Sequence, residues 1–426
     1  MINKRSIELV DASHFSKSFR KPLYDSYCFS RVPGTIRALL GLEEGLLPAL
    51  PAEAVGGSYG SHDLVILLFV DGFGWQFFEK YADKYPFLKR FKKEGVVSKI
   101  TSQFPSTTAA HVTTMNTGLP VGQSGVYEWF YYEPKLDCVI SPLLFSFAGD
   151  GRIETLKKTG ISPKEIYPTH TFYEQLHKEG VRSFAMQHYT ISQSVYSQVM
   201  LKGAKALPYG KIGQALENLV EICSEVKDEP HYVFLYFSDI DSMGHRYGVG
   251  SEAFEKAMDE FWSEMEKSFW QKLENSDRKI ACAVISDHGM VSVDPKKTTY
   301  LNLEMPIEKH IQRNRKGELI APAGSCRDFF LHIKEEDLLE MQETLRKFLD
   351  GRAEVYLTDS LIQEGIFGQL PLSKEFLGRV GNLVILPYKG EAVWWYEKNH
   401  FEQHFFGAHG GLTKEEMEIP FLFIEK

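Results

Sequence analysis

The most uniform apolar stretch of the chain is Leu64-Val-Ile-Leu-Leu-Phe-Val70, set between His62-Asp63 and Asp71-Gly72. A short run without polar alternation, rich in branched side chains, reads as a strand covered on both faces, as in parallel sheets. Tyr232–Phe237 and Lys279–Ile285 have the same character, and Val96–Ile100 and Val181–Gln187 are shorter candidates. Helical periodicity occupies the intervals, at Trp75–Lys93, Thr108–Thr117, Thr171–Glu179, Lys211–Lys227 and Ser251–Ser276. Buried strands alternating with helices predict a doubly wound α/β sheet with helices on both faces.

The two flanks of this pattern differ from it. Residues 1–60 carry clustered Gly and Pro from Leu46 to Gly60 and read as an irregular N-terminal wrap with one short helix near Thr35–Leu42. From about 300 to 390, strands at Asp328–Ile333, Ala353–Leu357 and Asn382–Leu386 surround a helix at Glu335–Leu349. The predicted organisation is therefore an α/β core over residues 1–300, a smaller α+β insertion over 301–390, and a return to the core over 391–426. The return passes through Gly407–Gly411 to a last strand, Ile419–Ile424.

Composition narrows the class. With 43% apolar and 25% charged residues in 426, the chain is neither disordered, collagen-like nor a coiled coil. Its net charge of -9, from 48 Lys+Arg against 57 Asp+Glu, gives no general attraction to nucleic acid or to a membrane surface. The apolar run Leu64–Val70 is far too short to span a bilayer. Cysteines 28, 138, 223, 282 and 326 are odd in number, scattered and without a CxxC pair, which excludes a disulfide framework or cysteine zinc site. They suit a reducing compartment. With charges breaking the N-terminal apolar run, so that no signal peptide is visible, the expected location is cytoplasmic.

The chemistry concentrates where buried strands end. Leu64–Val70 runs into Asp71, Tyr232–Phe237 into Ser238-Asp-Ile-Asp241-Ser-Met-Gly-His245, and Ala281–Ser286 into Asp287-His288-Gly. Carboxyl ends of parallel strands share one edge, where ligands bind. Asp71, Asp241, His245, Asp287 and His288 should thus converge. Each element alone reads equally well as a turn residue or helix cap. Together they crowd carboxylates that only a cation would hold, and Asp with His is a ligand set for zinc and similar divalent metals. Phe104-Pro-Ser-Thr-Thr108-Ala-Ala-His111 adds hydroxyls at a helix start, either N-caps or a nucleophile facing a phosphate at the positive helix end. Gly407-Ala-His409-Gly-Gly allows close approach of backbone and ligand.

The order Asp71-Gly, Pro-Ser-Thr-Thr108 with Thr117-Gly-Leu-Pro beyond it, Asp241…His245, Ser286-Asp287-His288-Gly and Gly-Ala-His409-Gly-Gly resembles the alkaline phosphatase superfamily. Within it, the chain resembles the type I phosphodiesterase/nucleotide pyrophosphatase family, over about residues 60–300 and 400–426. The resemblance implies a three-layer α/β/α sandwich with a smaller α+β cap, and two divalent metal ions, zinc or alternatively manganese. One would be held by Asp71, Asp287, His288 and the Thr108 oxygen, the other by Asp241, His245 and His409. It selects Thr108 as the nucleophile over Thr107 and Ser106. The implied reaction is cleavage of a phosphodiester or pyrophosphate through a phospho-threonine, on a small phosphate ester such as a nucleotide.

Departures and alternatives follow from the same residues. Where the family pattern has an asparagine three residues after the nucleophile to bind a phosphate oxygen, this chain has His111, which is therefore expected at the substrate. Asp239 is expected to stand behind the ligands, and His188, Tyr189 and Tyr127 are further candidates for substrate contact. A sulfatase would need Cys or Ser in a Cys/Ser-x-Pro-x-Arg context, which Thr108-Ala-Ala-His-Val lacks. A phosphomonoesterase or phosphonate hydrolase of the superfamily is the alternative. Monoesterases benefit from an arginine clamping the extra charge. None adjoins Thr108, and Arg327 of the insertion is the one that could yet reach it. A non-catalytic binding protein that keeps the fold would be expected to have lost a ligand or the nucleophile, and none is lost. The insertion is expected to cap the site and set substrate choice.

Overall fold

The computed structural model describes residues 1–225, 229–275 and 278–426. Its centre is a sheet in the order Val96–Thr101, Glu418–Glu425, Ile280–Ile285, Leu64–Val70, His231–Phe237, Arg182–Met186 and Ala204–Ala206. All neighbours are parallel except Glu418–Glu425, which runs antiparallel to both of its partners. The Leu64–Val70 strand is buried at every position. Val65, Leu67 and Phe69 point into one apolar layer and Leu64, Ile66 and Leu68 into the other, so the helices cover both faces. This is the mixed α/β, mostly parallel architecture expected.

Differences from expectation have local causes. The helix read as Trp75–Lys93 is two, Trp75–Tyr81 and Pro86–Glu94, because Pro86 forces Tyr85 into an extended conformation. The wrap helix spans Val32–Leu39, opened by Pro33 rather than starting at Thr35. The helix begun at Ile212 is described to Ser224, and the expected end at Lys227 lies outside the described residues. Glu252–Glu264 continues as a wider turn over Met265–Phe269 and a tighter one over Trp270–Asn275, and the expected end at Ser276 also lies outside them.

Within 301–390 a four-stranded antiparallel sheet forms, in the order Ala323–Ser325, Asp328–Leu331, Leu383–Pro387, Ala353–Leu357. The helix Leu338–Phe348 packs on it over its own apolar core. A three-stranded sheet, Tyr131–Glu133, Cys138–Ser141 and Ser146–Phe147, was not foreseen. None of the described helices is long and apolar enough to cross a membrane. No disulfide joins the cysteines at 28, 138, 223, 282 and 326.

Candidate active site

Parallel register places Phe69 opposite both Tyr236 and Ile285, so three chain exits lie side by side. Asp71 follows the first strand directly. Asp287 and His288 follow Ser286 after Ile285. Asp241 and His245, four apart and so on one face, project from the helix Asp239–Tyr247. His409 comes from the return segment just after Gly407–Ala408, which pairs with Val291–Ser292. Thr108 is the first residue of the helix Thr108–Thr117, with Thr107 extended before it. Close packing of these loops depends on Gly289. A Cβ there would stand 2.0 Å from the Glu415 carbonyl oxygen and 3.2 Å from Gly74 Cα.

Each imidazole is oriented in the same way. Nδ1 of His245 lies 2.7 Å from the Gly407 carbonyl oxygen, that of His288 2.9 Å from Gly289 O, and that of His409 2.9 Å from Ser106 O. A carbonyl only accepts, so each Nδ1 donates and each Nε2 of the neutral ring presents a lone pair to the site. His245 and His409 bring these lone pairs within 3.1 Å of each other. His245 Nε2 is 3.3 Å and His409 Nε2 3.8 Å from Asp241 Oδ1. On the other side, His288 Nε2 lies 3.4 Å from Asp71 Oδ1, 3.2 Å from Asp287 Oδ2 and 3.2 Å from Thr108 Oγ1, which is itself 3.5 Å from Asp71.

Such a crowd of acceptors is unstable by its own charges. Burial, then the neighbouring Asp287 and Asp241, push the Asp71 carboxyl well above its ordinary range. Burial, then His288 and His245, push His409 well below the usual imidazole value. Against burial of both, Asp287 and His288 favour each other's charged forms, Asp287 held low and His288 raised, so a proton takes the place on His288 Nε2 that a metal ion would otherwise fill. Two buried oxygens, Asp241 Oδ1 and Asp287 Oδ2, have no hydrogen-bond donor. Buried acceptors are ordinarily satisfied, and lone pairs facing one another need a cation between them. Four ligands about 2 Å from one ion in a tetrahedron stand about 3.3 Å apart, close to most of the separations above. The residues present therefore fit divalent ions, and metal-compatible groups form at Asp71, Asp287 and His288 and at Asp241, His288 and His409.

The surrounding residues hold this geometry. Gly72 N–H and His288 N–H donate to Asp287 Oδ1 at 3.1 and 3.0 Å, leaving Oδ2 for the site. The Tyr236 hydroxyl donates to Asp71 Oδ2 at 2.5 Å. Sequence reasoning missed Tyr236, although a tyrosine one residue before the end of an otherwise apolar strand is a signal for it.

His111 corrects an expectation. Its ring is fully buried, packs edge-on against Phe29 and does not line the cavity. Gln103 N–H donates to Nε2 at 3.0 Å, and Nδ1 donates to Thr107 O at 2.7 Å. Burial lowers its pKa to about 4, so it is a neutral strut under the Thr108 turn and not a substrate contact. Tyr127 is also buried, against Tyr131, Phe330 and Phe376. Tyr189 is exposed outside the cavity lining. Asp239 does not line the cavity either.

A cavity of about 340 Å³ opens beside Thr108, Asp71 and Asp241. Its far walls come from residues 129–154 and 187–197, and none comes from 301–390. The insertion was expected to cap the site. It instead stands behind the loops: Asp328 and Ser325 pack against Gly410, and Ser325 Oγ lies 3.3 Å from His409 O. Arg327 does not reach the site. It is fully buried, makes two hydrogen bonds to Glu416 at 2.9 and 3.0 Å, and donates to the carbonyls of Tyr388 and Pro387.

Comparison with known proteins gives a concordant picture. Solved structures of murine ectonucleotide pyrophosphatase / phosphodiesterase 5 superpose with a TM-score of 0.58 at 18% identity, covering 84% of this chain and 87% of that one. The human protein of the same name gives 0.59 at 18%, over 85% and 87%. These likenesses show the fold. Human ectonucleotide pyrophosphatase/phosphodiesterase family member 1 is 24% identical over 254 residues, 58% of this chain, which spans about a quarter of that relative's length (26%). The model of the type I phosphodiesterase / nucleotide pyrophosphatase family matches residues 65–412. That match runs from the strand that delivers Asp71 to the glycine loop that carries His409, and it makes this chain a member of the type I phosphodiesterase / nucleotide pyrophosphatase family.

Proposed function

We propose that the chain is a two-metal hydrolase that cleaves a phosphodiester or pyrophosphate bond through a phosphorylated Thr108. The observation that carries this reading is the inward presentation of three Nε2 lone pairs and three carboxylates around one threonine hydroxyl. Asp71, Asp287, His288 and Thr108 would hold one divalent ion, and Asp241, His245 and His409 the other, with zinc the best match to the donor set. When bound, such ions supply Lewis acidity that lowers the pKa of a hydroxyl and neutralises charge on the leaving oxygen.

The chain's own groups do the rest. Asp71 and His288 orient Thr108 Oγ1 toward phosphorus. The free N–H groups of the first turn of Thr108–Thr117 favour the anionic phosphoryl oxygens. Oγ1 forms the new P–O bond, the ester P–O bond breaks, and the leaving alkoxide takes up a proton. Water then cleaves the Thr108 phosphoester, returning the hydroxyl. AMP bound to an inactive variant of murine ectonucleotide pyrophosphatase / phosphodiesterase 5 supports a substrate of nucleotide size. The insertion serves as a buttress for the His409 loop, and cysteines that form no disulfide support a reducing compartment.

The test is metal content together with hydrolysis of bis(p-nitrophenyl) phosphate. Thr108→Ala should keep fold and metal and lose at least about 10³-fold in turnover. Unchanged turnover in that variant sinks the mechanism, and metal-loaded protein without hydrolysis of any ester supports a binding role instead.

A further inference from the structure

Behind the turn that carries Thr108, two acids are buried side by side. Glu128 is 1% exposed, and Asp328 of the insertion not at all. Their carboxyls stand within hydrogen-bond reach of each other. Among the described residues neither forms an ion pair, and Arg327, next to Asp328 in the chain, is committed to Glu416. Asp328 Oδ1 accepts from Ser325 Oγ at 2.5 Å, but Asp328 Oδ2 has no donor. Glu128 accepts from Trp129 N–H and from the Thr107 hydroxyl. Thr107 is the N-cap of Thr108–Thr117, where a hydroxyl ordinarily accepts from the first turn, yet it makes no such bond.

Two carboxylates in contact away from water repel each other. Burial pushes Glu128 up to about 7, and burial, then the charge of Glu128, pushes Asp328 well above its usual range. One proton between them turns the repulsion into a charge-assisted hydrogen bond. We infer that Glu128 and Asp328 hold one proton in common and act as a positioning pair: Asp328 donates to Glu128, Glu128 accepts from Thr107, and the turn that presents Thr108 is fastened to the insertion. Asp328 also holds Ser325, whose Oγ lies 3.3 Å from the His409 carbonyl oxygen, and a Cβ on Gly410 would stand 2.6 Å from Asp328 Oδ1. The pair therefore ties the Thr108 turn to the His409 loop. With the Thr107 hydroxyl held away from its own helix, the first-turn N–H groups stay free for phosphoryl oxygens. This effect on the reaction rests on the hydrolase reading above; the shared proton does not.

Infrared difference spectra of full-length, metal-loaded protein test the proton, and hydrolysis of bis(p-nitrophenyl) phosphate tests the positioning. Near neutral pH, wild type minus Asp328→Asn should show the C=O stretch of a protonated carboxyl, shifted in heavy water. Asp328→Ala should lower kcat about 10- to 100-fold and change KM less than about twofold, with metal content unchanged. Asp328→Asn, which still donates, should recover kcat to within about threefold of wild type. Thr107→Val keeps the shape of the side chain without its hydroxyl and should show the same split as Asp328→Ala. Absence of the infrared band overturns the shared proton. Unchanged kcat in Asp328→Ala or Thr107→Val, or no recovery in Asp328→Asn, overturns the positioning role, while hydrolysis by the wild type keeps the hydrolase reading. Wild-type protein that holds metal and cleaves no ester overturns the hydrolase reading, and the infrared band still decides the pair.

Discussion

Tyr236→Phe isolates how the site fixes Asp71, one of the proposed metal ligands. The Tyr236 hydroxyl donates to Asp71 Oδ2 at 2.5 Å, from a strand position that is only 8% exposed. Burial, then the charges of Asp71 and Asp287, push the Tyr236 hydroxyl well above its ordinary range, so it remains a donor throughout the neutral and mildly alkaline range. Removing it frees Asp71 to rotate. A hydrogen bond to a charged acceptor is worth about 1.5–3 kcal/mol, and loss of a group that orients a metal ligand lowers metal affinity about 10–100-fold. The expected outcome is such a loss at one of two sites, seen in chelator-competition titrations, with turnover largely recovered at saturating metal. Tyr232→Phe is the control, since its buried hydroxyl has no partner in the same strand. Equal metal affinity in wild type and Tyr236→Phe would refute the view that this hydroxyl positions Asp71.

Other expectations follow from single contacts. Asp241→Ala should reduce bound metal from two equivalents to one by elemental analysis, because it removes the carboxylate that lies within 4 Å of both His245 and His409; retention of both would remove Asp241 from the ligand set. Arg327→Met leaves the Glu416 carboxylate buried without its cation, held only by Gly411 N–H and by the N–H and hydroxyl of Thr413, and should destabilise by about 3 kcal/mol in urea titrations. Burial lowers the His332 pKa from 6.5 to about 4. The unfolded chain therefore binds the extra proton in that window, so stability rises with pH from about 4 to 6.5 and is lost as pH falls through it. The His332 share is about 2 kcal/mol between pH 7 and pH 5, and in His332→Leu the pH dependence of the urea midpoint should flatten by that amount.

The buried strands were legible because a parallel strand covered on both faces writes its whole length in apolar residues, as Leu64–Val70 does. Site residues placed directly after such strands were legible for the same reason. His111 was misread because its surroundings come from far away in the chain. Phe29 from the N-terminal wrap and Gln103 from the preceding loop enclose the ring, and no local pattern announces either. The cavity wall was missed because its residues Trp129, Leu143, Leu144 and Ile153 lie in the segments before, between and after Tyr131–Glu133, Cys138–Ser141 and Ser146–Phe147, strands of two to four residues that are too short to establish a period. The break at Pro86 was visible in the sequence and was outweighed by the apolar spacing on either side of it.

The antiparallel strand Glu418–Glu425 lies inside the sheet, between Ile280–Ile285 and Val96–Thr101. In a nascent chain both neighbours keep an open, apolar edge until residues 418–425 leave the ribosome, an interval in which pairing with another chain competes with folding. His409 stands only a short way before that strand in the chain. The last of the proposed ligands thus arrives with the piece that seals the sheet. On the two-metal reading proposed above, metal loading would then report on maturation: a polypeptide stalled before residue 409 presents the first group whole but only Asp241 and His245 of the second.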